Sequence, residues 1–293
     1  MQGFDASKVA PVTPSESTMQ CGGMAANARA GVYDLVPTVG SIHKLLENNG
    51  LHGSTWMSEL AGIPQPWAAV VVSLTFTGIA RWLHGVSRWG AVAGAVICFV
   101  IYATAGPRAV GTLAIVFALT WASTRFGYAR KKRLGTAEKG QGRSASQVLA
   151  NLSVAAGCSL LTAASGRAVF LLGTVAALSE AAADTVSSEI GQARSEASLM
   201  ITTWQAVPAG TSGGVTGIGT VVGLMAAALV SLFSAWVGLL PGRWLVISIV
   251  AAALGMIADS LLGATMEQKE ILDNNWVNFL STLLAAVVAM ALA

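Results

Sequence analysis

The chain has 293 residues, of which 11% are charged and 54% are hydrophobic, and its formal net charge at pH 7 is +3. Soluble globular proteins carry about 25% charged residues, so this composition excludes a disordered chain and disfavours a soluble enzyme. A transmembrane β-barrel is also disfavoured, because its strands alternate apolar and polar residues, whereas the apolar stretches here are long and continuous. The composition predicts an all-α, polytopic membrane protein.

Residues 1–66 differ from the rest of the chain, because they contain several prolines and serines and few long apolar runs. We interpret them as an N-terminal extension that is flexible over residues 1–25, with a possible amphipathic helix at the membrane surface over residues 30–48. A dispensable extension is the alternative to this helix, and it is the interpretation that we favour. Residues 67–293 form the predicted transmembrane domain.

From residue 67 onward the sequence is dominated by apolar stretches, and a helix that spans the bilayer needs roughly 20 mostly apolar residues. About eight transmembrane helices are predicted on this basis. Their approximate ranges are 67–83, 89–105, 108–124, 146–164, 167–183, 215–239, 243–262 and 275–292. We therefore expect an integral membrane protein.

The loop between the third and fourth predicted helices carries much of the positive charge. It holds seven of the seventeen basic residues, namely Arg125, Arg130, Lys131, Lys132, Arg133, Lys139 and Arg143. Lysine and arginine are enriched in cytoplasmic loops, so we predict that this loop is cytoplasmic and interpret its basic run as a positive-inside anchor. Alternation of the remaining loops places every polar motif described below on the cytoplasmic side, where nucleotides are found.

Other site classes are disfavoured. No basic tract is interleaved with aromatic residues, so we expect no nucleic-acid binding. The cysteines Cys21, Cys98 and Cys158 form no C-x-x-C pair and the three histidines are scattered. Structural zinc, a disulfide framework and a histidine-based metal site are therefore not expected.

The first polar motif follows the basic run and contains Lys139 and Arg143 among several glycines, with Gln147 and Asn151 behind it. Arg143, Gln147 and Asn151 are spaced four residues apart, so they share one face of a helix that enters the membrane. Such a stripe is costly in lipid unless it meets polar partners. Anion binding is one explanation, and hydrogen bonding between helices is the other.

The second motif lies in the fifth predicted helix, where Glu180, Asp184 and Ser188 follow at four-residue intervals and Glu189 comes next. Two carboxylates one turn apart in an apolar helix repel each other unless a cation or a proton relieves them. Oxygen ligands suit Mg²⁺, which one or two carboxylates usually hold together with substrate phosphates. Asp184 is therefore a candidate metal ligand, whereas a protonated, hydrogen-bonded state explains Glu180 equally well.

The third motif opens the sixth predicted helix and is called the glycine loop below. It consists of Gly210, Thr211, Ser212, Gly213 and Gly214. At a helix N-terminus such a stretch presents free N–H groups and the positive end of the helix dipole to an anion. It is not a Walker A loop, because the pattern G-x-x-x-x-G-K-[ST] is missing from the sequence. Close helix packing through a G-x-x-x-G pair is the alternative.

The fourth motif combines Asp259, in the seventh predicted helix, with Asn278 at the start of the eighth. A carboxylate within an apolar span indicates a candidate functional site. Asp184 and Asp259 both lie near the predicted cytoplasmic ends of their helices, so they can share one cation. Asn278 can orient a nucleotide or hydrogen-bond to a neighbouring helix.

The motifs resemble, in order, those of the integral membrane family that includes plant phytyl-phosphate kinase. The matching stretches are Lys-Gly-Gln-Gly-Arg143 to Asn151, Ala-Asp184-Thr-Val-Ser-Ser188-Glu189-Ile-Gly191, Pro-Ala-Gly210-Thr-Ser-Gly213-Gly214-Val and Asp259-Ser-Leu-Leu-Gly263-Ala. This resemblance implies transfer of the γ-phosphoryl group of a nucleoside triphosphate to an isoprenoid monophosphate, such as phytyl or geranylgeranyl phosphate. A more distant similarity to CTP-dependent polyprenol kinases and phosphatidate cytidylyltransferases favours CTP over ATP as the donor.

The resemblance also implies a role for each motif. Lys139 and Arg143 would neutralise phosphate oxygens, and Asp184 and Asp259, together with Glu189, would hold Mg²⁺ as the cofactor. The residues implied in nucleotide or phosphate binding are Gln147, Asn151, Ser188, Gly210, Thr211, Ser212, Gly213, Gly214 and Asn278.

Two features depart from the family pattern. The family has an Asn-Asp pair before its last helix, where this chain has Asn274-Asn275. The role of that aspartate is therefore lost here or moves to Asp273. The N-terminal extension is the second departure.

Other functions are compatible with the same residues. A transporter or binder of phosphorylated lipids or anions can use the same basic, glycine-rich surface and buried acids, and a cytidylyltransferase would release pyrophosphate and form a CMP-lipid. A purely structural membrane protein leaves the cluster of buried acids unexplained. The expected partners are a nucleoside triphosphate, a prenyl monophosphate and membrane lipids. The sequence does not indicate whether the protein is a monomer or an oligomer.

Overall fold

The structure is a computed structural model that describes residues 65–138, 142–195 and 197–293. The predicted N-terminal extension falls almost entirely on residues 1–64, which lie outside the described residues. The division into an extension and a transmembrane domain therefore stays a prediction. Lys139 also lies outside the described residues.

Helices make up nearly all the regular structure of the described part of the chain. They are α1 Gln65–Trp82, α2 Arg88–Arg125, α3 Tyr128–Leu134, α4 Ala145–Ser165, α5 Ala168–Arg194, α6 Gly217–Trp236, α7 Leu245–Leu262 and α8 Asn274–Ala291. A 3₁₀ turn, Gly242–Trp244, precedes α7, and a π-helical turn, Gly263–Glu267, follows it. Within this described part, six helices, α2 and α4 to α8, are long and apolar enough to cross a membrane. The predicted all-α, polytopic membrane fold is confirmed.

Helix α2 is a helical hairpin, because Gly106 interrupts it with φ 77° and ψ −176° and Pro107 follows. Proline lacks the N–H group that would continue the helix. Two hydrogen bonds bring the end of α2 back to the residues before its start: Trp121 Nε1 and Arg125 Nη2 donate to the Leu83 carbonyl at 3.1 and 2.7 Å. The two halves of α2 therefore correspond to the second and third predicted helices.

Helix α5 is the central helix, since it packs against α2, α4, α6, α7 and α8. The buried share of its most apolar stretch is 83%, against 56% or less for the other five candidate spans. Hydrogen bonds between hydroxyl groups link it to α6 and, through α6, to α7, because Ser231 Oγ of α6 lies 3.0 Å from Ser179 Oγ of α5 and 2.9 Å from Ser248 Oγ of α7. The acidic side chains of α5 therefore face protein on most sides.

A small antiparallel sheet is formed by the chain segment that connects α5 to α6, and it was not predicted from the sequence. Its strands are β1 Ala197–Met200, β2 Ala206–Pro208 and β3 Gly214–Val215, in the order β2-β1-β3. The glycine loop forms most of the turn between β2 and β3, so it does not open the sixth helix as predicted. Helix α6 begins after it, capped by Thr216, whose hydroxyl accepts a hydrogen bond from the Gly219 N–H.

Candidate functional site

A polar cavity of about 310 Å³ lies among α4, α5, α7, α8 and the glycine loop. It brings together every predicted site residue that the structure describes. These residues are Arg143, Gln147, Asn151, Asp184, Ser188, Glu189, Gly210, Thr211, Ser212, Gly213, Gly214, Asp259 and Asn278. Their individual roles stay predictions, whereas their convergence on one cavity is a property of the fold.

The carboxyl groups of Asp184 and Asp259 lie within hydrogen-bonding reach of each other across α5 and α7. Both side chains are half-buried and open into the polar cavity. The Ser281 hydroxyl of α8 lies 3.4 Å from Asp259 Oδ2. The positive charge of Arg143 interacts electrostatically with the Asp184 carboxylate. Two anions in such proximity need a cation or a shared proton, so this pair is the point of the cavity best suited to a metal ion.

Glu180 lies one turn before Asp184 and adds a third carboxyl group beside the Asp184–Asp259 pair. Its side chain is fully buried, interacts with Asp184, and leaves Oε1 without a hydrogen-bond partner among the described residues. Gly255 of α7 makes room for it, since a Cβ at that position would come within 2.5 Å of Glu180 Cγ. Glu180 does not line the polar cavity, so it lies behind the Asp184–Asp259 pair.

Glu189 also lines the cavity, but its carboxylate has partners within the protein. Oε2 forms an ion pair with Lys131 of α3, and Oε1 accepts a hydrogen bond from the Thr124 hydroxyl at 3.1 Å. The structure therefore favours an ion-pair role for Glu189 over the metal-ligand role predicted from the sequence. Lys131 was interpreted as part of a positive-inside anchor, and its burial could not be read from the basic run.

Two backbone hydrogen bonds hold Arg143 in place. Its N–H donates to the Gly85 carbonyl at 3.1 Å, and its carbonyl accepts from the Ser87 N–H at 2.9 Å, which ties it to the link between α1 and α2. Gly142 has φ 77°, and a Cβ there would come within 2.6 Å of the backbone of Gly85. A Cβ on Gly90 would come within 2.2 Å of the Arg143 carbonyl. Two glycines thus permit this close approach.

The polar stripe behind Arg143 is partly bound within the protein. Gln147 completes a capping box with Ser144 at the start of α4, and its Nε2 donates to Glu138 at 3.3 Å. Asn151 Nδ2 donates to the Gln147 carbonyl at 2.9 Å. Glu138 was not among the predicted site residues, although it directly precedes Lys139 of the first motif.

The glycine loop packs against the π-helical turn and the residue that follows this turn. Gly213 has φ 79°, and a Cβ there would come within 2.4 Å of Ala264 Cβ in the π-helical turn. Gln268 Nε2 donates to the Ser212 carbonyl at 2.8 Å. Glu267 of the same turn lines the cavity and was missed, because nothing in the sequence distinguishes it from a solvated loop residue.

The start of α8 shows whether Asp273 takes the place of the aspartate that the Asn274-Asn275 pair lacks. Asp273 is exposed and caps α8, since its Oδ1 accepts from the Trp276 N–H at 2.9 Å. Asn274 and Asn278 line the polar cavity, and Asp273 does not. The structure gives Asp273 the role of a helix cap.

The donor set fits Mg²⁺ if substrate completes its coordination. Among the described residues, no group of three or more His, Cys, Asp or Glu side chains is arranged to hold a metal ion. Two contacting carboxylates remain at Asp184 and Asp259, and Mg²⁺ is usually held by one or two carboxylates, waters and substrate phosphates. This arrangement suits an ion that arrives with a phosphorylated substrate.

Comparison with known proteins agrees with a membrane fold. An uncharacterized membrane protein of Synechocystis is 31% identical over 253 residues, which is 84% of this chain and 97% of that protein. The chloroplastic protein VTE6 of Arabidopsis thaliana is 27% identical over 292 residues, which is 94% of this chain and 82% of that protein. No solved structure matches the chain.

The family comparison covers the membrane-spanning part of the chain. The family model described as integral membrane protein DUF92 matches residues 71–286, a range that contains all the residues of the polar cavity. With this match, and with a relative 31% identical along nearly its whole length, the chain belongs to the integral membrane protein DUF92 family.

Proposed function

We propose that this protein transfers the γ-phosphoryl group of a nucleoside triphosphate, with CTP favoured, to an isoprenoid monophosphate and so forms the diphosphate. One observation carries the proposal: an acidic pair, an arginine and a glycine-hydroxyl loop meet in one polar cavity of a membrane-embedded fold. The resemblance of the four motifs to the phytyl-phosphate kinase family points to the same chemistry.

The chemistry asks for positioning rather than for a strong base. An oxygen of the acceptor phosphate forms the new P–O bond to the γ-phosphorus, the bond from that phosphorus to the β,γ-bridging oxygen breaks, and the nucleoside diphosphate leaves. Since a phosphate monoester is already an anion, its oxygen needs no catalytic histidine. The main obstacle is the approach of two anions, so charge neutralisation and alignment dominate.

The residues of the cavity divide this task. Arg143, held by its backbone hydrogen bonds, would pair with phosphate oxygens, and Lys139 would add a second positive charge. The glycine loop would donate backbone N–H and hydroxyl groups to further phosphate oxygens. Asp184 and Asp259 would hold Mg²⁺, which when bound supplies positive charge to the donor phosphates.

The side of the membrane follows from the charge distribution. Arg143 of the polar cavity belongs to the loop that carries seven of the seventeen basic residues. Basic loops remain cytoplasmic, so we place the site on the cytoplasmic side, where nucleotides are available.

The test is a product assay with the purified full-length chain. Geranylgeranyl monophosphate, Mg²⁺ and γ-labelled CTP or ATP are incubated, and the lipid product is separated. Labelled geranylgeranyl diphosphate is the expected result. Without a labelled lipid product from either nucleotide, the proposal is wrong.

The same preparation distinguishes the competing functions. With α-labelled CTP, a labelled CMP-lipid and released pyrophosphate would indicate a cytidylyltransferase. With the protein in liposomes, movement of a labelled prenyl phosphate without any new product would indicate a transporter. Either outcome would replace the kinase assignment.

A further inference from the structure

A second cavity, of about 400 Å³, lies beside the polar one and is mostly apolar. It is lined mainly by α1, both halves of α2 and the beginning of α4. Phe76, Phe117 and Trp121 contribute its aromatic surface, and the Phe76 and Phe117 rings meet edge to face at 5.7 Å. Neither the acidic pair nor the glycine loop reaches this cavity, so the chemistry described above does not account for it.

The two cavities share one wall. Glu138, Arg143, Gln147 and Asn151 line both of them. Arg143 therefore presents a positive charge where the apolar cavity meets the polar one. A molecule with an anionic head and an apolar tail is complementary to this junction, since its head can meet Arg143 while its tail stays among apolar and aromatic side chains.

We propose that the apolar cavity holds the hydrocarbon tail of a single-chain isoprenoid monophosphate, whose phosphate lies against Arg143. This inference rests on the proposed function for the identity of the ligand. The volume agrees with one chain, because pockets of about 300–1,000 Å³ hold single, drug-sized ligands. In this arrangement the nucleotide enters the polar cavity from the loops, and the two substrates meet at the Arg143 wall.

The arrangement also explains why Gln147 and Asn151, the polar stripe of α4, lie where they do. Gln147 and Asn151 form part of the partition between the two compartments. Polar side chains on a helix that enters the membrane are costly unless they meet polar groups. Contact with a phosphate that lies at the partition would meet that requirement better than contact with lipid.

Two glycines allow a matched test of the tail site. Gly94 of α2 lines the apolar cavity, and a Cβ built on it meets no atom within 4 Å. Gly78 of α1 also has open space within 4 Å, but it is exposed and does not line the cavity. Phenylalanine therefore fills the cavity at position 94 and only extends into the surroundings at position 78.

The experiment measures equilibrium binding of radiolabelled geranylgeranyl monophosphate to the full chain without nucleotide. We expect Gly94→Phe to weaken binding by about tenfold or more and Gly78→Phe to leave it within about twofold of the wild type. Binding of isopentenyl monophosphate, whose tail is short, should change little in Gly94→Phe. Equal binding of the long-chain ligand by both variants would overturn the tail site, as would displacement of that ligand by phosphatidic acid at equal concentration.

A second measurement needs no substitution. A geranylgeranyl monophosphate analogue with a photoreactive group at the end of its tail should label peptides that contain Phe117 or Trp121 in the wild-type chain. Labelling confined to other helices would contradict the proposal, even if Gly94→Phe fails to fold.

The two proposals can fail separately. Binding that depends on Gly94, without phosphoryl transfer, would keep the tail site and remove the kinase. Phosphoryl transfer with the same KM for the prenyl phosphate in both phenylalanine variants would keep the kinase and remove the tail site.

Discussion

Lys131 of α3 and Glu189 of α5 form a largely buried ion pair at the edge of the polar cavity. The Lys131 side chain is fully buried, and its Nζ also donates to the carbonyls of Ser123 and Thr124 at 3.1 and 2.7 Å. The pair ties a short helix to the central helix of the bundle. It therefore fixes the start of the segment that leads to Arg143.

Removal of Lys131 should destabilise the protein strongly. Lys131→Met leaves the Glu189 carboxylate without its cation, and breaking a buried pair in this way costs about 3–5 kcal/mol. The free energy of unfolding, measured by denaturant titration in detergent micelles, gives the effect.

The neighbouring lysine provides the control. Lys132 is exposed, so Lys132→Met should change the free energy of unfolding by less than about 0.5 kcal/mol. The double variant Lys131→Met/Glu189→Gln should recover part of the loss, because no unpaired charge remains. Equal effects of the two lysine substitutions would contradict the buried ion pair.

The contrast between Lys131 and Lys132 shows where sequence reasoning stops. Both belong to one basic run, which was interpreted as a positive-inside anchor in a loop and lies in helix α3, and the sequence does not distinguish the buried lysine from the exposed one. The juxtaposition of Asp184 and Asp259 was predicted, because two carboxylates in apolar helices with the same predicted orientation have few alternatives to mutual contact. The small sheet was not predicted, since strands of two to four residues leave no periodic pattern.

The acidic pair should be indispensable for phosphoryl transfer. Asp184→Asn or Asp259→Asn removes one of two carboxylates in contact, and loss of one preorganised electrostatic group typically costs about 10²–10³ in kcat. The product assay with purified variants measures this loss. Both variants should still insert and migrate as the wild type in size-exclusion chromatography.

Asp273 offers the same substitution outside the cavity. Asn is an equally good helix cap, so Asp273→Asn should keep both the α8 cap and nearly full turnover. Turnover close to that of the wild type in purified Asp184→Asn would instead remove the acidic pair from the mechanism.

The position of Arg143 should depend on Gly142. Gly142→Ala would drive a Cβ to within 2.6 Å of the Gly85 backbone, so Arg143 has to move away from the α1–α2 link. A displacement of about 1 Å at a positioning group can cost about 10²-fold in rate. We therefore expect a large loss of turnover in the product assay.

The control substitution Gly135→Ala distinguishes the effect of moving Arg143 from the effect of backbone strain. Gly135 and Gly142 have φ angles of 75° and 77°, but a Cβ on Gly135 meets no atom within 4 Å. Gly135→Ala also places a Cβ at a positive φ angle, at a cost of about 1–2 kcal/mol, but without the collision. Equal losses of turnover in the two variants would show that strain alone is responsible and that the Gly85 contact does not position Arg143.

The two possible roles of Glu189 predict different responses to Mg²⁺. If Glu189 pairs with Lys131, Glu189→Gln lowers the melting temperature and leaves the Mg²⁺ concentration for half-maximal turnover unchanged, because both proposed metal ligands, Asp184 and Asp259, remain. Asp184→Glu keeps a carboxylate but shifts it by one methylene, so this variant should need more Mg²⁺. Titration of Mg²⁺ at a fixed nucleotide concentration, well below the melting temperature of either variant, measures both effects.

The opposite pattern has a clear structural meaning. A raised Mg²⁺ requirement in Glu189→Gln, with little change in melting temperature, would mean that the carboxylate leaves Lys131 when substrate binds. The buried Lys131 would then need another anion, and a substrate phosphate is the group that the polar cavity is suited to receive. That result would restore the sequence-based assignment of Glu189 and add Lys131 to the phosphate-binding residues.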